Sequence, residues 1–354
     1  MINDRTQQWA PSPHSDLIIG PPRWNGETLV ADLGRGSQKK ILRVGIVEQI
    51  ILEKMNGELT PSEITSVLNT EGLPISEQQV WGVINKLAVN GVISTPFAPS
   101  DTDRDPLPAD SVYTPAVFSS LNLWKWCGWL GKLPIVIAVL ISGLIGGVLL
   151  AHSVPQALQT IENLDWLPFL GFLAVALIWD IVVMFIHETA HSGTFYGMSG
   201  RPARLSIARF GPVILPNSQL AGVNLLPRWK KAIIIAMGPA MALTFACLPV
   251  ALFQLTDMGS ACHNATAMII LIETTFIALG LSFIPNADAT RFIETLTGVE
   301  DLHITSFTAI SGSSRIPHSL PFRSRLAIYG YPGLLLLTLV AWVAAITCAI
   351  RLAF

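Results

Sequence analysis

Two imidazoles flank a carboxylate in His187-Glu188-Thr189-Ala190-His191. On a helix, residues i and i+4 share a face, so both rings reach a single metal ion. Zinc accepts such nitrogen ligands, and a Glu beside the first His can act as general base on water activated by the ion. Spacing of this kind also arises by accident, so its place in the chain matters. The motif closes an apolar run that begins near residue 166 and is long enough to cross a bilayer. Ionisable groups at membrane depth are costly and mark functional sites by default. The chemistry indicated is hydrolysis by zinc-activated water.

A catalytic zinc needs a third protein ligand and one open position. The elements that must bring it are membrane spans, expected at about 133–153, 166–188, 232–256, 266–286 and 331–353. The loops 154–165 and 257–265 hold no Lys or Arg. The loop 192–231 holds Arg201, Arg204, Arg209, Arg228, Lys230 and Lys231, and the loop 287–330 holds Arg291, Arg315, Arg323 and Arg325. Positive charge thus places these two loops and the N-terminal region in the cytoplasm. The second and fourth spans both run inward. Asp288, which closes Ile284-Pro285-Asn286-Ala287-Asp288, then reaches the depth of the two histidines and is the expected third ligand. A span-end Asp paired with Arg291 is the competing reading.

Other polar groups compete for roles. Glu273, in the body of the fourth span, lies about four turns from Asp288 and suits a contact within the bundle better than the zinc. Asp180 precedes His187 by two turns and shares its face; a water-lining group and a bonded acid between packed helices are equally open readings. His152, His263, His303 and His318 are expected to be solvated bystanders, with His303 alone able to approach the site.

Hydrophobic residues make up 51% of the 354 and charged residues 13%, which excludes an ordinary soluble enzyme. The first 120 residues differ, with 9 Lys/Arg against 14 Asp/Glu. Met1 to Ser15 shows no basic stretch followed by an apolar core, so no cleavable signal is expected. The cysteines Cys127, Cys247, Cys262 and Cys348 lack metal-site or disulfide spacing and are expected to pack apolar surroundings.

The N-terminal region reads as a small folded domain. Glu27–Leu33 and Lys40–Val44 are expected strands around a Gly34-Arg35-Gly36-Ser37 turn. A helix over about 46–55 follows and ends at Asn56-Gly57. Capping boxes at Thr60-Pro61-Ser62-Glu63 and Ser76-Glu77-Gln78-Gln79 open helices to about Asn69 and Val89, and Val92-Ile93-Ser94 returns as a strand. Strands with three helices suggest a winged helix. Its excess of acid argues against nucleic acid as partner. Residues 96–120, with Pro96, Pro99, Pro106, Pro108 and Pro115, read as a semi-rigid linker. Trp124, Trp126 and Trp129 with Lys125 and Lys132 then suit the cytoplasmic membrane interface. The expected fold class is mainly α: a polytopic membrane helix bundle of about five spans with an N-terminal α+β winged-helix domain. The expected division is 1–95, linker 96–120, and membrane domain 121–354.

Over about 165–295 the chain resembles the site-2 protease family of membrane-embedded zinc metallopeptidases. The residues that carry the resemblance are His187-Glu188-Thr189-Ala190-His191, Met237-Gly238-Pro239-Ala240-Met241 and Ile284-Pro285-Asn286-Ala287-Asp288. It implies zinc held by His187, His191 and Asp288, with Glu188 as base, and a β-hairpin or re-entrant region within 194–227. The chain departs from the family at Ala289, where Gly is usual after the Asp, and at Ser282 and Ala242, where Asn is common. Residues 17–95, above all Ile51 to Ile64, resemble the PqqD-like domains called RiPP recognition elements, which capture the leader of a ribosomal precursor peptide. Together these resemblances imply a zinc metalloprotease in a bacterial plasma membrane that removes a leader peptide, as in daptide-type clusters. Regulated intramembrane proteolysis of an anchored regulator, and a non-catalytic peptide receptor or immunity protein, are the alternatives. Oligomeric state leaves no trace in the sequence.

Overall fold

The computed structural model describes residues 9–36, 41–94, 123–210, 213–313 and 315–353. The linker expected over 96–120 lies outside them, as does Ser37 of the expected turn. The chain divides into two compact units: one runs to Ser111 and takes in Gly222–Pro227, and the other comprises Val112–Ala221 and Arg228–Phe354.

In the first unit, strands β1 (Ser12–Pro13), β2 (Leu17–Ile19) and β3 (Arg23–Trp24) precede β4 (Leu29–Arg35) and β5 (Ile41–Gly45). The central strand β4 pairs antiparallel with β2, β3 and β5, and β1 pairs with β6 (Ile93–Ser94). Asp32 on β4 is buried between Arg23 and Arg43, at 3.2 and 3.3 Å, so its charge is met from both neighbouring strands. Helices α1 (Ile46–Lys54), α2 (Pro61–Thr70) and α3 (Glu77–Val89) start where the sequence places them. Thr60 and Ser76 accept from the backbone N–H of Glu63 and Gln79, closing both expected capping boxes. Leu33, Ile51, Leu52, Ile64, Leu68, Val80, Ile84 and Leu87 form the core. The strands β1, β2 and β3 were not foreseen; two or three residues are too few to show an alternating pattern.

The second unit is a helix bundle. Among the described residues, five helices are long and apolar enough to cross a membrane: α4 (Leu133–Glu162), α5 (Trp166–Ser199), α6 (Arg228–Leu255), α7 (Ala261–Gly280) and the segment Phe322–Ala345 of α10 (Phe322–Ala353). Their outward faces carry large apolar side chains, with Leu144 71% and Leu337 68% exposed, which water would not tolerate over such areas. The chain is a membrane protein. Against expectation, α4 runs on through Pro155 to Glu162, and α5 continues eleven residues past Glu188. The fourth span is displaced toward the N-terminus and stops at Gly280. There Ile284 precedes Pro285, which disfavours helical backbone, and the Phe283 N–H turns to the Thr338 hydroxyl (3.4 Å) instead.

Small residues bring α4 onto α6. A Cβ at Gly143 would stand 2.6 Å from the Ala240 carbonyl, and one at Gly146 1.9 Å from that of Leu243. One turn away the Ser142 and Thr244 hydroxyls meet at 2.8 Å across the same interface. Close backbone contact with a polar bridge is how helices hold together in lipid, where burial of apolar surface offers no drive. Between α5 and α6, β7 (Arg204–Phe210) and β8 (Val213–Gln219) form an antiparallel hairpin. This replaces the broader 194–227 region, because α5 keeps its first residues. Short helices α8 (Asp288–Thr297) and α9 (Leu302–Ile310) precede the last span.

Candidate metal centre

His187 and His191 lie on one face of α5, as the i, i+4 spacing requires, and Asp288 comes to them from the first turn of α8. The Nε2 atoms of the two histidines are 3.1 Å apart. Asp288 Oδ2 is 3.1 Å from His187 Nε2, and Oδ1 is 3.6 Å from His191 Nε2. A tetrahedral zinc with bonds of about 2.0–2.1 Å separates neighbouring ligand atoms by about 3.3–3.4 Å. The three side chains therefore converge at spacings close to those of zinc ligands, the carboxylate meeting His187 through Oδ2 and His191 through Oδ1. They are nearly enclosed, with 12%, 8% and 19% of their side-chain surface exposed.

The donor chemistry agrees with a cation. His191 Nδ1 sits 2.6 Å from the Ile234 carbonyl, which only accepts, so that nitrogen carries the proton and donates it. With the proton on Nδ1, Nε2 is the nitrogen left to offer a lone pair to a metal, and it faces His187 and Asp288. An outer hydrogen bond of this kind fixes both tautomer and ring orientation in metal-ligating histidines.

Two further residues complete the cradle. Gly238 on α6 faces the ring tips: a Cβ there would stand 2.2 Å from His191 Nε2 and 2.7 Å from His187 Nε2. The space it leaves open is the space an ion would fill. Glu188 offers a carboxylate oxygen within 4.8 Å of the histidine nitrogens. Its Oε2 accepts the Ser218 backbone N–H at 2.7 Å, so β8 fixes the carboxylate beside the triangle. Two carboxylates thus stand at the histidine pair: Asp288 at 3.1 and 3.6 Å from the ring nitrogens, and Glu188 within 4.8 Å of them.

Asp288 owes its aim to the turn before it. Pro285 and Asn286 occupy the central positions of a turn closed by Ala287 N–H donating to the Ile284 carbonyl (3.2 Å). Asn286 takes φ +67°, a left-handed conformation Asn tolerates. Asp288 then begins α8, where a helix N-terminus favours a negative charge.

Glu273 and Asp180 stay outside the triangle. Glu273 is fully buried, and its Oε2 accepts from Trp179 Nε1 at 3.2 Å, the contact within the bundle that its depth suggested. Asp180 is its buried electrostatic neighbour. Glu273→Gln keeps an acceptor for the indole and is expected to unfold within ~1 kcal/mol of the wild type. Glu273→Leu strands a buried N–H and is expected to lose about 1–3 kcal/mol. Zinc content, measured beside thermal unfolding in detergent, is expected to stay unchanged in both. His303 does not join the group. His263, expected to be solvated, is instead buried against Phe253, with ring centroids 4.2 Å apart, and donates from Nδ1 to the Phe253 carbonyl at 3.1 Å.

Gly238 was quoted in the sequence only as part of a motif, with no role of its own; nothing in the spacing of glycines shows which one faces a ligand. Ser218 left no signal, since it acts through its backbone. Comparison of the chain with protein-family models, curated proteins and solved structures finds no match.

Proposed function

We propose that this protein is a membrane-embedded zinc metalloprotease of the site-2 protease kind. The observation that carries the reading is the cluster of His187 Nε2, His191 Nε2 and the Asp288 carboxylate at 3.1, 3.1 and 3.6 Å, with both histidines on a membrane-spanning helix. His187, His191 and Asp288 would hold the ion, which when bound would polarise a scissile carbonyl and ease the ionisation of water. Glu188, held by the Ser218 N–H through one oxygen, keeps the other to take a proton from water and return it to the leaving amine. Gly238 leaves room for the ion, and the near-closed setting strengthens each electrostatic contact.

The substrate in this reading is a ribosomally made precursor peptide whose leader is cut away. In support, the N-terminal unit sets three helices, two of them opened by capping boxes, against a small antiparallel sheet, a composition that suits a winged helix of the PqqD-like kind. In this reading the N-terminal unit and the metal centre face the cytoplasm of a bacterium, following the Lys and Arg of the loops around the site.

Metal analysis of detergent-purified protein tests the centre. Wild type is expected to carry about one zinc per chain, and His187→Ala, His191→Ala and Asp288→Ala to lose it or bind it far more weakly. Wild type that takes up no zinc when supplied with it overturns the proposal. Retention by Asp288→Ala alone removes Asp288 from the ligand set.

A further inference from the structure

We infer that Thr290 is a positioning residue that aims Asp288 at the metal, an inference that rests on the zinc reading above. Thr290 lies one helical step beyond Ala289 on α8 and is fully buried. Its hydroxyl donates to the Ile284 carbonyl at 2.8 Å. That same carbonyl accepts the Ala287 N–H at 3.2 Å, so one oxygen ties the start of the turn to both its end and the first turn of α8. Asp288 lies between the two tie points. Arg291 adds a third, its Nε donating to the Asn286 carbonyl at 3.2 Å.

The arrangement answers a physical problem. Asp288 follows an irregular stretch, Leu281–Ala287, and ends a left-handed step at Asn286, so the helical ladder alone does not set its direction. A carboxylate that must meet two ring nitrogens at 3.1 and 3.6 Å tolerates little rotation of the peptide before it. The buried hydroxyl removes that freedom where no water competes for it. The Tyr331 side chain, fully buried on α10, is a neighbouring polar group of Thr290. Thr290 is not itself a proposed ligand; it would act through Asp288.

The test measures zinc affinity by chelator competition, with the visible spectrum of the cobalt-substituted protein as a second readout. Thr290→Val keeps the shape and removes the hydroxyl; it is expected to weaken zinc binding about 10–100-fold, the usual cost of losing a group that orients a ligand. Its cobalt spectrum is expected to shift as the carboxylate ligand loosens. Thr290→Ser restores the hydroxyl and is expected to return affinity to within ~3-fold and the spectrum to that of the wild type. Thermal unfolding of the apoproteins identifies a folding defect, and Thr290→Ala serves as a smaller replacement should the valine disturb packing. Wild-type affinity and spectrum in Thr290→Val or Thr290→Ala overturn the inference while leaving the metal centre standing. Equal losses in the Val and Ser variants also overturn it, since the hydroxyl would then not be the cause. A wild type without zinc overturns the centre and this inference together.

Discussion

Glu188→Gln is expected to bind zinc as the wild type does and to cleave its peptide about 10²–10⁴-fold more slowly, the range that a positioned general base contributes. The amide oxygen of Gln can still accept the Ser218 N–H, so the side chain stays where β8 holds it at 2.7 Å. What disappears is the ability to take a proton from water and pass it on. Single-turnover cleavage of a leader-bearing peptide, read by mass spectrometry beside metal content, separates the possible outcomes. Zinc lost together with cleavage would make Glu188 a ligand and displace Asp288 from the set. Function retained in full would fit a peptide receptor instead of a peptidase.

Gly238→Ala is expected to abolish tight zinc binding, with affinity reduced at least about 100-fold, the upper end for loss of a supporting contact. The new methyl would stand 2.2, 2.5 and 2.7 Å from atoms of the two rings, well inside contact distance. His191 cannot swing clear, because its Nδ1–H is committed to the Ile234 carbonyl on the same helix as the intruding methyl. Either the ring leaves its partner or α6 moves off α5, and overpacking of this kind costs about 1–3 kcal/mol. Both routes part the triangle. Isothermal zinc titration and thermal unfolding read the two effects separately. Unaltered affinity in the Gly238→Ala variant would mean that α6 does not back the site.

Much of this architecture was legible in the chain. Spans are legible because lipid allows no substitute for a run of about 20 apolar residues. The histidine pair is legible because helix periodicity turns a spacing of four into a shared face. Asp288 was reached from a depth argument that two spans running the same way end at the same level; the structure brings it to the histidines although α5 runs on to Ser199 and α7 stops at Gly280. The extents of the helices were less legible. Hydropathy marks where lipid ends, whereas α5 stops eleven residues past Glu188 at Ser199, capped by Gly200, which takes φ +70°. Least legible were contacts made by what a residue lacks or by its backbone. Gly238 contributes an absent side chain, Ser218 an amide, and Ile234 a carbonyl, and none of these leaves a mark in composition or period. His263 misled for a related reason: a loop was drawn where Ser260 caps α7 and places the imidazole in its first, buried turn.

The presence of Gly222–Pro227 in the N-terminal unit has a bearing on synthesis. Leu225 is buried there, its Cδ1 2.6 Å from where a Cβ on Gly34 would stand, and the Asn224 carbonyl fits against Gly20 in the same way. Residues 9–94 leave the ribosome first, yet this last piece of their fold is made only after α4, α5 and the hairpin. At about 5–20 residues per second, the wait is on the order of 10 s. During that time two spans enter the membrane while the N-terminal unit stays open at Gly20 and Gly34. Its completion therefore reports that the first half of the bundle has been delivered, and a fragment truncated before residue 222 is left with two glycine notches and nothing to fill them.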